Sequence, residues 1–153
     1  MTPHLLLISL LPHANCPATD LCDQDYAGTS DAYVEVELYQ SDCSFACSYQ
    51  KQQTPTVGGS LNPIWDENLV FSTDLGLDDI VLEMTVWDND RWNFDDKNGR
   101  VALHLAEQPF QLGIPVDFEY PLATKDGLFN LSCPAVLRFA IELIDDKAVR
   151  AKA

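Results

Sequence analysis

Apolar and polar residues alternate along much of this chain, and this spacing predicts β-strands. The clearest run, at residues 32–39, places alanine, valine and leucine on one face and tyrosine and glutamate on the other. Glycine, proline and asparagine separate such runs, as turns require, and Gly99 is one of the glycines predicted to lie in a turn. The predicted strands cover residues 4–11, 32–39, 48–54, 68–72, 80–87, 100–106, 118–122 and 136–144. One short helical turn is expected within residues 106–112.

Eight short strands and almost no helix predict an all-β fold, an eight-stranded antiparallel β-sandwich. A chain of 153 residues is long enough for one such domain. We expect the domain to span residues 3–145 and residues 146–153 to form a polar tail or linker. The apolar run at residues 5–11 lacks the basic flank of a signal peptide and is too short to cross a bilayer. It is interpreted as a buried strand, and no targeting segment is expected.

The charge of the chain excludes one class of partner. Acidic residues outnumber basic ones by 24 to 9, which gives a net charge of −15 and a pI near 4.2. Nucleic acid is not expected to bind, because its phosphates repel such a protein. Constitutive binding to anionic membranes is disfavoured for the same reason. Binding after a cation has neutralised one end is still allowed, because the field that matters there is local.

Five aspartates form two groups beside predicted strands. Asp25 and Asp31 precede one strand, whereas Asp88, Asp90 and Asp96 follow another. Loops at strand ends are where a sheet scaffold presents ligands. Carboxylates held close together repel one another unless a cation neutralises them. Flexibly presented oxygen ligands suit calcium better than zinc or copper, so the sequence predicts a calcium site.

Cysteine usage leaves the compartment open between cytoplasmic and secreted. The five cysteines are Cys16, Cys22, Cys43, Cys47 and Cys133. Two local disulfides, together with the glycosylation sequon Asn-Leu-Ser at residues 130–132, would suit an extracellular protein. Five reduced thiols would suit a cytosolic one. Zinc is not expected, because no pair has Cys-x-x-Cys spacing.

Three segments resemble the signatures of the C2 domain family. They are Ser-Asp-Ala-Tyr-Val at residues 30–34, Ser-Leu-Asn-Pro-Ile-Trp-Asp-Glu at residues 60–67 and Val-Trp-Asp-Asn-Asp at residues 86–90. The family has Ser-Asp-Pro-Tyr-Val, Leu-Asn-Pro-x-Trp-Asn-Glu and Val-x-Asp-x-Asp in the same order. The resemblance covers roughly residues 3–145. Ala32 replaces the usual proline, which loosens that turn.

The resemblance implies a set of calcium ligands. They are the side chains of Asp25, Asp31, Asp88, Asp90, Asp96 and Asn93 and the backbone carbonyls of Gln24 and Asn89. Asn93 lies where a C2 loop often supplies a further side-chain oxygen. The first loop is longer than usual for the family, so Asp20 or Asp23 can take the place of Asp25.

The resemblance also implies a topology and a way of binding membranes. The chain begins with the strand that leads into the first loop and ends with another strand, as in the permuted, phospholipase-type topology. Tyr26, Trp92 and Phe94 occupy loop positions that enter lipid in C2 domains, and large apolar groups rarely lie on loops without a partner. The implied function is calcium-dependent binding to phospholipid by a peripheral, monomeric module that binds two or three calcium ions and is not an enzyme.

Other expectations concern lipid preference, core packing and alternative functions. Some C2 domains bind phosphoinositides through lysines on the strand predicted at residues 48–54, but here that stretch has one lysine, which favours zwitterionic lipid. Trp65 and Trp87 are expected to pack in the core. The alternatives are a calcium-independent protein-interaction domain, a calcium-binding role without lipid, and a targeting domain of a larger lipase or pore-forming protein.

Overall fold

The computed structural model describes residues 4–10, 18–19, 30–42, 48–90, 95–123 and 135–145. Five of these are described through the backbone alone: His4, Ala18, Thr19, Ser48 and Asp96. The strands are β1 (His4–Leu10), β2 (Ala18–Thr19), β3 (Ala32–Gln40), β4 (Ser48–Gln53), β5 (Glu67–Thr73), β6 (Ile80–Asp88), β7 (Asp96–His104), β8 (Val116–Pro121) and β9 (Val136–Ile144). Two single-turn 3-10 helices cover Leu77–Asp79 and Leu105–Glu107. Among these described segments, no helix has the length and apolar character needed to span a membrane.

The strands form two antiparallel sheets that pack face to face. One sheet has the order β4-β3-β6-β7. The other has the order β5-β1-β9-β8, and the two-residue strand β2 continues the line of β1 along β9. Each sheet is therefore four strands wide, and the predicted eight-stranded antiparallel sandwich is confirmed.

The position of the last strand fixes the topology. β9 pairs with the first strand, β1, on one side and with β8 on the other. The chain thus begins with the strand that leads into its first long loop and returns at its end to lie beside it. This is the permuted, phospholipase-type arrangement that the sequence predicted.

Alternation along the strands explains the core. On β3, Val34, Val36 and Leu38 are buried, whereas the glutamates and tyrosines beside them are half-buried on the outer face. Leu6, Ile8 and Leu10 of β1 are buried with them, which confirms the N-terminal run as a buried strand. Burial of each such side chain stabilises the fold by about 1.5–3 kcal/mol relative to its exposure. The inner faces of the two sheets therefore form one contiguous core.

Strand β7 differs from its prediction because of a bulge. It was predicted at residues 100–106, with Gly99 as a turn, but it begins at Asp96 and ends at His104. Val86 pairs with Gly99 and Trp87 pairs with Lys97, so Asn98 is the extra residue between them. A Cβ on Gly99 would lie 2.7 Å from Leu122 Cβ, and its φ is 157°. Gly99 therefore permits a close approach inside the strand.

The two tryptophans with predicted roles have different environments. Trp65 is buried, as expected. The prediction for Trp87 was wrong, because its side chain lies half-buried on the outer face of β6 and not in the core, with the Lys97 ammonium 4.9 Å from the centre of its ring. Val86 and Asp88 are the neighbours that point inward. The pattern of β6 thus buries the acidic residue of the third motif and exposes part of its tryptophan.

Candidate metal site

Strand register brings those predicted acidic residues that the structure describes to one end of the sandwich. Asp88, the last residue of β6, pairs with Ala32 on one side and with Asp96 on the other. Asp31 immediately precedes Ala32. We call this end, where β1 and β6 finish and β3 and β7 begin, the acidic end, and the opposite one the far end. The first and third motifs therefore meet at the acidic end.

Hydrogen bonds join Asp31 directly to Asp88. The Asp31 N–H donates to Asp88 Oδ1 (2.8 Å), and the Asn89 N–H donates to the Asp31 carbonyl (2.8 Å). Asp88 is only 2% exposed, so its carboxylate is largely removed from water. A buried carboxylate is tolerated when donors or a cation compensate it. The two bonds hold Asp31 and Asp88 next to each other in a fixed arrangement.

The second motif supports the first. Trp65 Nε1 donates to the Ala32 carbonyl (3.0 Å), which also accepts from the Val57 N–H (2.9 Å). The Gly59 N–H donates to Asp31 Oδ1 (2.7 Å). Gly59 has φ 68°, a left-handed conformation that glycine adopts without steric cost. The loop before β5 thereby fixes both the backbone and the carboxylate of the first motif.

Asp95 joins the site, although the sequence did not single it out. Its Oδ1 accepts from the Asp90 N–H (3.1 Å), and its Oδ2 accepts from the Tyr33 hydroxyl (2.6 Å). Burial, followed by the bond to Asp95, raises the pKa of Tyr33 well above its usual range. The family resemblance assigned the calcium-binding role to the adjacent Asp96. Asp95 was not singled out, because no local sequence pattern indicates that it bonds to a residue 62 positions away.

A buried polar pair lies next to these residues. Asn98, the extra residue of the bulge, is 6% exposed, and its Nδ2 lies 3.3 Å from the oxygen of the fully buried Ser30 hydroxyl. Within the described part of the chain, Asn98 Oδ1 has no hydrogen-bond partner. Ser30 also accepts at its carbonyl from the Ser60 N–H (2.9 Å). The bulge thus links β7 to the first motif as well.

The structure describes part of the predicted ligand set. Asp31, Asp88, Asp90 and Asn89 lie at the acidic end, and the Asp96 backbone lies there too. The other predicted site residues are outside the described residues: Gln24, Asp25, Tyr26, Trp92, Asn93 and Phe94. So are the alternatives Asp20 and Asp23 and all five cysteines. Considering only described residues, no group of three His, Cys, Asp or Glu is arranged to hold a metal ion.

The chemistry of the described donors suits calcium. Asp31 and Asp88 are in contact through a hydrogen bond, and Asp90 follows two residues later on the same loop. Every donor here is a carboxylate, an amide or a backbone carbonyl, which are the ligands of hard cations. The side chain of Asn89 points elsewhere, since its Nδ2 lies 3.4 Å from Thr56 Oγ1. Only its carbonyl is then left as a predicted ligand.

Comparison with known families agrees with this geometry. Residues 14–122 match the model of the C2 domain family, which includes all three motifs and the acidic end. The fold is that of a C2 β-sandwich, and the chain belongs to the C2 domain family.

Two plant proteins and one solved structure illustrate the similarity. It is 36% identical to Synaptotagmin-4 of Arabidopsis thaliana over 89 residues, which are 58% of this chain and 14% of the relative. It is 36% identical to Multiple C2 domain and transmembrane region protein 6 of the same plant over 132 residues, 84% of this chain and 12% of the relative. The fold matches a C2 domain of plant Extended Synaptotagmin 1 with a TM-score of 0.72 and 20% identity, over 92% of this chain and 94% of that domain.

Proposed function

We propose that this C2 domain binds phospholipid membranes in a calcium-dependent manner through its acidic end. The observation that carries the proposal is the Asp31–Asp88 contact, which joins the first and third motifs at a buried carboxylate. The bond itself is favourable, because the Asp31 N–H compensates the charge of the buried Asp88 carboxylate, but it also holds two residues with acidic side chains next to each other, and like charges close together favour a cation between them. A calcium ion would supply that positive charge and open positions for lipid phosphate oxygens.

The proposed ligands combine the strand register with the resemblance to the family. Asp31, Asp88 and Asp90 hold the ion, with Asp96 joining from the strand paired to Asp88. The remaining proposed ligands are Asp25, the Asn93 side chain and the carbonyls of Gln24 and Asn89. These positions would accommodate two or three ions. The backbone N–H groups that donate to the Asp31 and Asp88 carboxylates would orient them before any ion arrives.

The loops that carry the proposed membrane contacts also start at the acidic end. Residues 11–31 follow β1, and residues 89–95 connect β6 to β7, so both loops leave the sandwich there. Tyr26 lies on the first loop, and Trp92 and Phe94 lie on the second. In the proposal, their rings enter the lipid interface once the charge is neutralised. Each would contribute at roughly 25 cal/mol for every Å² of apolar surface buried.

The outer face of the β4-β3-β6-β7 sheet supports a preference for zwitterionic lipid. Lys51, the one lysine of β4, lies 3.2 Å from Glu35 Oε2 and 3.5 Å from Glu37 Oε1. These partners raise the Lys51 pKa, led by the hydrogen bond to Glu35, so its charge is balanced within the protein. A phosphoinositide headgroup would meet two carboxylates beside that lysine, which disfavours its binding.

A second candidate function rests on the length of the relatives. The chain spans 14% and 12% of the two Arabidopsis proteins. The domain would then serve as the targeting part of a larger protein, such as a lipase or pore-forming protein, and would itself be peripheral and without enzymatic activity. This second candidate function uses the same acidic end to bind the membrane. It differs from the first in that the domain brings the rest of a larger protein to the membrane.

Co-sedimentation with phosphatidylcholine vesicles, in calcium or chelator, tests the proposal. We expect wild-type protein to pellet with vesicles only in calcium. The double variant Asp88→Asn/Asp90→Asn should need at least about 100-fold more calcium, because outer-shell changes alone cost 10–100-fold in metal affinity. The matched control is Asp78→Asn/Asp79→Asn, which removes the same two charges from exposed positions at the far end. It should bind like wild type.

A second arm of the experiment separates ion binding from insertion. The variant Trp92→Ala/Phe94→Ala should keep its calcium affinity without lipid and lose most vesicle binding, because the apolar contact is removed while the carboxylates stay. Vesicle binding that persists unchanged in chelator would contradict the calcium dependence. Unchanged vesicle binding by the double alanine variant would show that these rings do not enter the bilayer.

A further inference from the structure

We propose that Asp95 is a positioning residue of the acidic end, which ties the loop after β6 to strand β3 through Tyr33 and so holds Asp90 in place for calcium. The inference rests on the proposed function and deepens it. It assigns different roles to two adjacent aspartates: Asp95 positions the loop, and Asp96 binds the ion.

Both oxygens of the Asp95 carboxylate accept a bond from a different part of the protein. Oδ2 accepts from the Tyr33 hydroxyl at 2.6 Å, and Oδ1 accepts from the Asp90 N–H at 3.1 Å. The first distance is that of a short, charge-assisted O–H···O⁻ bond, which is stronger than a bond between neutral groups. The second bond closes the loop across the four residues 91–94. Asp95 therefore fixes where the loop leaves and rejoins the sheet.

The anchor on the other side is rigid. Tyr33 is the second residue of β3, and its backbone pairs with Trp87 of β6 and follows directly on Ala32, whose carbonyl accepts from Trp65. Trp87 in turn pairs with Lys97, whose ammonium lies over its ring. Strand β3 lies between β4 and β6, so the backbone that carries the Tyr33 hydroxyl is held on both sides. The loop is thus tied to the sheet itself.

The geometry also separates Asp95 from the ligands. Each oxygen of the Asp95 carboxylate uses one of its lone pairs for the bond from Tyr33 or Asp90, so these two groups set the orientation of the carboxylate. Asp96 lies opposite Asp88 in the strand register, and Asp88 in turn contacts Asp31. Supporting groups of this kind typically change metal affinity 10–100-fold when they are removed. Asp95 should therefore act through the position of Asp90.

Three variants and one control test this assignment by calorimetric titration of the whole chain with calcium. Tyr33→Phe and Asp95→Ala each break the tie, and we expect about tenfold weaker calcium binding. Asp95→Asn should stay within about threefold of wild type, because its amide oxygen can accept from Asp90 and its amide N–H can donate to the Tyr33 oxygen. Tyr39→Phe is the matched control, since it removes a hydroxyl of the same strand and face at the far end.

Amide hydrogen exchange without calcium gives a readout that does not depend on the ion. The Asp90 N–H should exchange faster in Tyr33→Phe than in wild type and should be unchanged in Tyr39→Phe, with equal melting temperatures for the two variants. If Tyr33→Phe binds like wild type and Asp95→Asn is as weak as Asp95→Ala, Asp95 acts by its charge or as a ligand, and the inference is overturned. If wild type binds calcium and all three variants bind it equally well, this inference is overturned and the proposed function stands. A wild-type chain that binds no calcium overturns the proposed function together with it.

Discussion

Strand β3 carries a hydrogen bond from a tyrosine hydroxyl to a carboxylate near each of its ends. At the acidic end, Tyr33 donates to Asp95, 62 residues away in sequence. At the far end, Tyr39 donates to Glu37, two residues away on the same strand (2.8 Å). Burial first, and then the carboxylate, raises the pKa of both hydroxyls. The chemistry is the same, but only the bond at the acidic end joins elements that are distant in the chain.

The difference extends to the other contacts of the two ends. At the acidic end, side chains reach across the chain, as in the bonds from Trp65 to Ala32 and from Asp31 to Asp88. At the far end, the Ser41 N–H donates to the Asp79 carbonyl, a bond between two backbones. Side-chain bonds of long sequence separation order loops that would otherwise move independently. At the far end, the Ser41 hydroxyl also lies 3.5 Å from the Asp78 carbonyl, so that end is tied across the chain as well. The difference is that the bonds of the acidic end involve the side chains of the family motifs.

The largest expected effect comes from adding a methyl group where the acidic end is most crowded. In Gly99→Ala, the new Cβ would lie 2.7 Å from Leu122 Cβ and 3.1 Å from the Ala123 carbonyl. Strand β7 and residues 122–123 must then move apart, so we expect the free energy of unfolding to fall by about 3 kcal/mol. Urea denaturation monitored by tryptophan fluorescence measures the change, and calcium titration should show weaker binding, because Asn98 and the bulge shift with Gly99.

Gly76→Ala is the corresponding change at the far end. Gly76 has φ −64°, which alanine adopts without strain, and an added Cβ would lie 3.6 Å from Asp79 Oδ2, an ordinary contact. We expect its stability to equal or exceed that of wild type by up to about 1 kcal/mol. Equal destabilisation by the two substitutions would contradict the view that the acidic end is the more tightly constrained of the two.

The sequence predicted the fold well wherever burial alone decides the pattern. Alternation in β3 placed Val34, Val36 and Leu38 in the core, and the three family motifs located the loops between strands. It failed at Gly99, because a glycine inside a bulge and a glycine in a turn look the same in a single sequence. The result was a strand predicted to begin several residues too late.

The residues of the acidic end could be predicted where they belong to a family motif, but not where their role depends on a distant side chain. Asp31 and Asp88 belong to motifs, so their proximity followed from the resemblance. Trp87 was assigned to the core because a large aromatic residue in an alternating run gives no indication of which face it occupies. Asp95 gave no signal, since its role depends on Tyr33, a residue in another strand. Contacts between side chains distant in sequence are set by the packing of the sheets, which a local pattern does not contain.

An intermediate effect is expected from the indole that supports the first motif. Trp65→Phe removes the bond to the Ala32 carbonyl and leaves a small cavity, which should lower the free energy of unfolding by about 2 kcal/mol. Trp87→Phe is the control. Within the described residues, its Nε1 has no hydrogen-bond partner, so we expect a loss below about 1 kcal/mol. Urea denaturation measures both, and a larger loss for Trp87→Phe would show that the bond to Ala32 does not organise the acidic end.

The smallest effect should come from Tyr39→Phe at the far end, and it should depend on pH. Because the pKa of Tyr39 is raised in the folded state above the value near 10 of an unfolded chain, the hydroxyl stabilises the fold fully below pH 10. Above pH 10 the unfolded chain releases this proton first, so that stabilisation is lost as the pH rises. The free energy of unfolding of wild type should therefore fall more steeply with pH than that of Tyr39→Phe. The difference between the two slopes corresponds to the release of up to about one proton. Urea denaturation between about pH 8 and 11 measures this, and parallel curves would mean that the pKa of Tyr39 is not raised in the folded chain.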